Sequence, residues 1–148
     1  MKTEPINLTQ GKIEALKVDN IICLSVYGNF IDDDLKAVTQ YMDNFFAEIN
    51  KPTIRIWDLT HMNADQYQLT PHGIDMLNHW ADKAKKKWPG NVAYIIGEPN
   101  LIFGMSRMYE IKASDDLMRI NVLKSFADLP EEIKIRISEK LPGETTIQ

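Results

Sequence analysis

Apolar positions recur along this chain with two different periods, and the switches between them divide it into elements. A mostly polar opening, residues 1–10, reads as a loose segment ahead of the fold. Lys12 to Val18 and Ile21 to Tyr27 read as strands, and Asp19-Asn20 between them suits a two-residue hairpin turn because both residues tolerate positive φ. In the second strand Ile22, Leu24 and Val26 face one way, and Ile21, Cys23 and Ser25 the other. Apolar residues on both faces predict a strand covered on both sides.

The period then lengthens. Asp32, Asp33 and Asp34 open a helix and offset the positive end of its dipole. Leu35, Val38, Met42, Phe45, Phe46 and Ile49 follow as one apolar stripe that ends before Pro52. Thr53 to Trp57 is a short β-rich run that stops at Asp58, and a polar loop, Thr60 to Gln68, leads to a second helix. Thr70 is its N-cap, Pro71 fits its first position and Leu69 can staple Ile74. Ile74, Leu77, Ala81, Ala84 and Trp88 supply the buried stripe. Lys83, Lys85, Lys86 and Lys87 favour its carboxyl end, and Pro89-Gly90 terminates it. Val92 to Ile96 is a strand, Leu101 to Ala113 a third helix, and Met118 to Leu123 the last strand. Asp128 and Pro130 open a final helix with Ile133, Ile137 and Leu141 on one side; Ile133, Ile135 and Ile137 also alternate with period two, and the capping residues favour the helix. Strands alternating with helices predict a mostly parallel sheet, to which the opening hairpin adds an antiparallel strand. One domain, 11–142, with a tail, 143–148, accounts for the chain.

Composition narrows the class. The 148 residues are 44% hydrophobic and 26% charged, values of a globular domain, and the net charge of -4 offers no general attraction to nucleic acid or acidic membrane. A single cysteine, Cys23, permits no intrachain disulfide. There is no apolar leader at the amino terminus and no apolar run of the length a membrane-spanning helix needs. The expected location is the cytoplasm.

The order of elements, the strand ending Ile-Trp-Asp58-Leu59, and the run Phe103-Gly-Met-Ser-Arg-Met-Tyr-Glu110 resemble the SpoIIAA-like STAS family, in particular its stand-alone bacterial branch. The resemblance spans about residues 10–141. It implies an α/β fold of the SpoIIAA-like βα superhelix type: a mixed, mostly parallel five-stranded sheet with an opening β-hairpin and about four helices. It further implies a regulatory or scaffold module without enzyme activity, of the kind found in anti-sigma-factor antagonists. The chain also departs from the family. Antagonist members carry an Asp-Ser-Ser-Gly turn before the second helix, where a kinase phosphorylates a serine; this chain has Leu69-Thr-Pro-His-Gly73.

Thr70 is accordingly the candidate for phosphorylation, since a phosphate there would meet free backbone N–H groups at a helix start. The plain alternative is an N-cap contributing about 1 kcal/mol. Asp58 is placed at the carboxyl end of a parallel strand, the usual side for α/β sites, or else binds its own loop backbone. Arg107, with Glu110 one turn on, could grip a partner carboxylate or make a local surface pair. Together with Gln66, Gln68 and His72 these residues form the expected partner or ligand surface. His72 and His79 stand two helical turns apart, roughly 10 Å, too far to share a metal ion unaided. No metal or other cofactor is expected. Cys23 lies mid-strand as a buried thiol, and no GxSxG, Walker or GxGxxG pattern supports catalysis. The leading expectation is a protein-binding module that forms a twofold homodimer, for which the edge strand of the opening hairpin and helices with exposed Trp or Met offer surfaces. The alternative is a binder of a small apolar or lipid molecule with CRAL-TRIO-like architecture, using Met42, Phe45, Phe46, Trp57, Trp80 and Trp88, which helical spacing assigns more simply to the core.

Overall fold

The computed structural model describes residues 3–63, 69–97 and 118–138. Their elements are β1 (Glu4–Asn7), β2 (Gln10–Val18), β3 (Ile21–Asn29), α1 (Leu35–Glu48), β4 (Ile54–Met62), α2 (Pro71–Lys87), β5 (Asn91–Ile96), β6 (Met118–Leu123) and α3 (Glu131–Ser138). The six strands form one sheet in sequential order, antiparallel from β1 to β3 and parallel from β3 to β6.

Both faces of the sheet are used. Ile13, Ala15, Ile22, Leu24, Val26, Trp57, Ala93 and Ile95 pack under Val38, Met42, Phe45 and Phe46 of α1 and Leu77, Ala81 and Ala84 of α2. The opposite face sets Leu16, Val18, Ile21, Cys23, Ile56 and Ile96 against Leu129, Ile133 and Ile137. The central strand β3 is therefore apolar on both sides, as its sequence predicts. Ile135 is exposed between buried Ile133 and Ile137, the spacing of a helix rather than a strand. The predicted third helix, 101–113, lies outside the described residues.

Three expectations need correction. The sheet has six strands, not five, because the opening segment is not loose. Ile6 and Leu8 pack against the core, Thr3 Oγ1 donates to Glu14 at 2.8 Å, and Glu4 accepts from the Tyr41 hydroxyl and pairs with Lys17 at 3.1 Å. Secondly, β4 does not stop at Asp58. Ser25 pairs with Asp58 but Tyr27 with His61, so β4 carries one extra residue in a bulge and continues along β3 to Met62. Thirdly, α1 begins at Leu35, after a single 3-10 turn at Asp32–Asp34. The carboxylates of Asp32 and Asp34 in that turn have long-range partners in addition to any dipole effect.

Candidate functional site

The carboxyl ends of β3 and β4 and the start of α2 meet in a set of polar contacts. On β4, the Asp58 carboxylate accepts from the backbone N–H of Thr60 at 3.0 Å and from its hydroxyl at 2.6 Å, which secures the bulge. Asp58 also lies where β5 ends, opposite Ile96, so among the described residues β4 runs on with only β3 beside it. Beyond the bulge His61 stacks on Tyr27, with ring centroids 4.6 Å apart and planes 9° apart, and its Nε2 stands 3.8 Å from Asp58. Asp58 thus binds its own chain at the bulge, one of its two expected roles.

Three amide side chains then tie the strands together. Asn29 donates to Gln10 at 3.0 Å, Asn63 donates to Asn29 at 3.1 Å, and the Asn63 N–H reaches the Gly28 carbonyl at 2.9 Å. Gly28 has φ +83, and a side chain at Gly11 opposite it would meet the Tyr27 carbonyl at 2.2 Å, so the two glycines allow the strands to close here.

Thr70 is the N-cap of α2: its side-chain oxygen accepts from the Gly73 N–H at 3.1 Å. The same hydroxyl donates to the carboxylate of Asp32, which also accepts from the Thr70 N–H at 3.0 Å. A Cβ on Gly73 would fall 2.1 Å from Asp32 Oδ1, so the glycine makes room for the carboxylate. An anion therefore already sits at the amino end of α2, supplied by the chain itself. Two residues on, Asp34 is 5% exposed; its Oδ1 accepts from the N–H and the hydroxyl of Thr9, each at 2.8 Å, and its Oδ2 from the Ile31 N–H at 3.3 Å. Asp32 and Asp34 were legible only as a helix start. The signal that could have found Asp32 is Gly73 within the first turn of a helix, where glycine costs about 1 kcal/mol relative to alanine unless something approaches closely.

Of the other expected residues, His72 is exposed on the first turn of α2, while Gln66, Gln68 and Arg107 lie outside the described residues. His72, Asp75 and His79 all stand exposed on α2, and no group of three or more His, Cys, Asp or Glu among the described residues is arranged to hold a metal ion. Cys23 is 8% exposed, and burial, helped by the charge of Asp58, pushes its thiol up to about 12, against a weaker lowering hydrogen bond from Ser25. The large residues of the ligand-binding alternative pack on one another: Phe46 meets Trp88 at 5.0 Å and Trp80 at 5.9 Å, and Phe30 stacks on Trp57 at 5.8 Å. A cleft of about 230 Å³ bounded by Ile49, Pro52, Trp88 and Pro89 opens at the other end of the strands, smaller than the ~300–1,000 Å³ of ordinary ligand pockets. Among the described residues no helix is long and apolar enough to cross a membrane.

No family model matches the chain. No curated protein matches it either. Solved structures do. An uncharacterised protein of the DUF3478 family with a SpoIIAA-like fold, from Shewanella loihica PV-4, is 17% identical over 83% of this chain and 93% of its own, with a TM-score of 0.54. Apo-SiaC from Pseudomonas aeruginosa is 11% identical over 83% of this chain and 99% of its own, with a TM-score of 0.54. A second SiaC structure gives 13% identity, 82% and 99% coverage, and a TM-score of 0.51. With the sheet order and the helices on its two faces, these likenesses establish that the chain has the SpoIIAA-like, STAS-type fold.

Proposed function

We propose that this chain is a non-enzymatic regulatory module that binds a protein partner at the carboxyl ends of its strands, with Thr70 as the regulated position. The observation that carries the reading is the seat of Thr70: its hydroxyl is held by Asp32 at the amino end of α2, where a charge added to that oxygen would meet a carboxylate already in place. A phosphate on Thr70 would therefore change the surface locally by like-charge repulsion, which is how such modifications act. Asp58, the segment bearing Gln66 and Gln68, His72 and Arg107 would supply the partner contacts, consistent with the side of an α/β sheet on which sites gather. The cytoplasm is the compartment that fits this role.

Capture of a cross-linked partner from native lysate tests it. Gln66→Lys with Gln68→Lys should abolish capture without loss of fold, and Thr70→Glu should change it at least severalfold. A partner lost only with Arg107→Ala would place the interface elsewhere, and equal capture by all variants would end the reading.

A further inference from the structure

The turn Asp32–Asp34 holds two distant parts of the molecule at once. One end, Asp32, receives the hydroxyl and N–H of Thr70, 38 residues along the chain. The other end, Asp34, receives the N–H and hydroxyl of Thr9, 25 residues back, in the connection between β1 and β2. Only Asp33 lies between them, and it is exposed. The backbone of the turn is closed on itself by the Asp34 N–H reaching the Ile31 carbonyl at 2.9 Å, so both carboxylates are carried on one closed turn.

The Thr9 end matters because β1 is the edge strand next to it. It has four residues and a single neighbour, β2. The ties from Thr3 to Glu14 and from Glu4 to Tyr41 and Lys17 are exposed, where each contributes less than a buried bond. The bonds from Thr9 to Asp34 are partly buried and stronger for it. Such an edge element belongs to the low-stability end of a fold, where small changes in tethering show as local opening.

We propose that this turn is a strut coupling Thr70 to β1: an anion on Thr70 expels Asp32, shifts the turn and loosens the edge strand. The chain's own carboxylate already stands against Thr70 at the start of α2, and a second negative group on the Thr70 oxygen is repelled by it. Coupling of this kind is reciprocal, so cutting the Thr9 end must loosen the start of α2. The proposal rests on the reading of Thr70 as the regulated position, but it is tested on the isolated protein, so its failure is distinct from failure to find a partner.

Amide hydrogen exchange of the full chain is the test. Thr70→Glu should speed exchange at Thr9 and in β1 about tenfold while leaving β3 unchanged. Gly73→Ala should do the same by displacing the Asp32 carboxylate, although Thr70 and Asp32 are both intact and alanine is the better helix former. Asp33→Asn, which removes a neighbouring charge that neither end uses, should have no effect. Thr9→Val should speed exchange of the Gly73 amide. Variants that each loosen only their own end would overturn the proposal, and so would exchange that rises equally in every strand.

Discussion

The guanidinium carbon of Arg55 lies 4.8 Å from the ring centroid of Trp80. Arg55 is 0% exposed, at the start of β4, with Phe46 of α1 at 5.6 Å and the side-chain oxygen of Asn91 at 3.5 Å. Asn91 in turn donates to the Trp88 carbonyl at 2.8 Å. One buried cation thus joins the sheet to α1 and to both ends of the α2–β5 connection. Lysine cannot reproduce the planar stack or the fork of donors. Arg55→Lys should destabilise the domain by about 2–4 kcal/mol in urea unfolding, the cost of disturbing a buried charged network. A change under about 0.5 kcal/mol, the ordinary scale for surface substitutions, would show that the stack contributes only shape.

Thr70→Ala should cost about 1 kcal/mol through the lost cap, with the bond to Asp32 adding to it, while Thr70→Ser retains most of the stability. Chemical denaturation of the three proteins checks the order. Equal midpoints for alanine and threonine would mean that Asp32 alone holds the start of α2.

Glu4 and Tyr41 make the pH dependence of the edge strand readable. The Tyr41 hydroxyl, then Lys17, hold the Glu4 carboxyl below its usual range. Burial, then the bond to Glu4, push the Tyr41 phenol above its usual 10.0. For Tyr41 the folded value exceeds the unfolded one, so its contribution is complete below pH 10 and fades as pH rises above it. For Glu4 the folded value is the lower, so its contribution is present above the ordinary carboxylate range and is lost on acidification. Tyr41→Phe should therefore flatten the alkaline fall in melting temperature and return the Glu4 titration, followed by NMR, towards its usual value. An unmoved Glu4 titration would assign its shift to Lys17 instead.

Pro5 sits in β1, at the open edge of the sheet, where a residue without an N–H leaves one donor fewer for a second chain to pair with. The twofold dimer expected from the edge strand must work around that gap. Pro5→Val should raise self-association over the wild type in sedimentation at tens of micromolar. Identical sedimentation of the two proteins would remove this edge as an association surface.

The described helices were legible in the sequence because their signals are local. The stripe from Leu35 to Phe46 is buried in α1, Thr70 and Pro71 start α2, and Gly90 follows its end with φ +86. The strand ends were not. In β1 only Ile6 stands out as a core-facing apolar residue, with Leu8 just beyond it in a polar run, and in β4 the polar residues Asp58, Thr60 and His61 interrupt the pattern where a bulge turns the chain. Asp32 and Asp34 were hidden for a different reason. A carboxylate whose partner lies 25 or 38 residues away leaves no periodic trace, and a run of three acids before a helix already has an adequate local explanation.

The amide chain through Gln10, Asn29 and Asn63 has a consequence for how this protein can diversify. Asn63 is fastened by β3 and Thr70 by Asp32, so each footing of the segment between them is secured by residues outside that segment. Replacing residues 64–68 with a stretch of other length or chemistry leaves these bonds in place, and lengthening a connection costs little entropy, about 0.6 kcal/mol per doubling. Two footings anchored in this way make a socket, which can hold one connecting sequence or another while the sheet beneath stays the same.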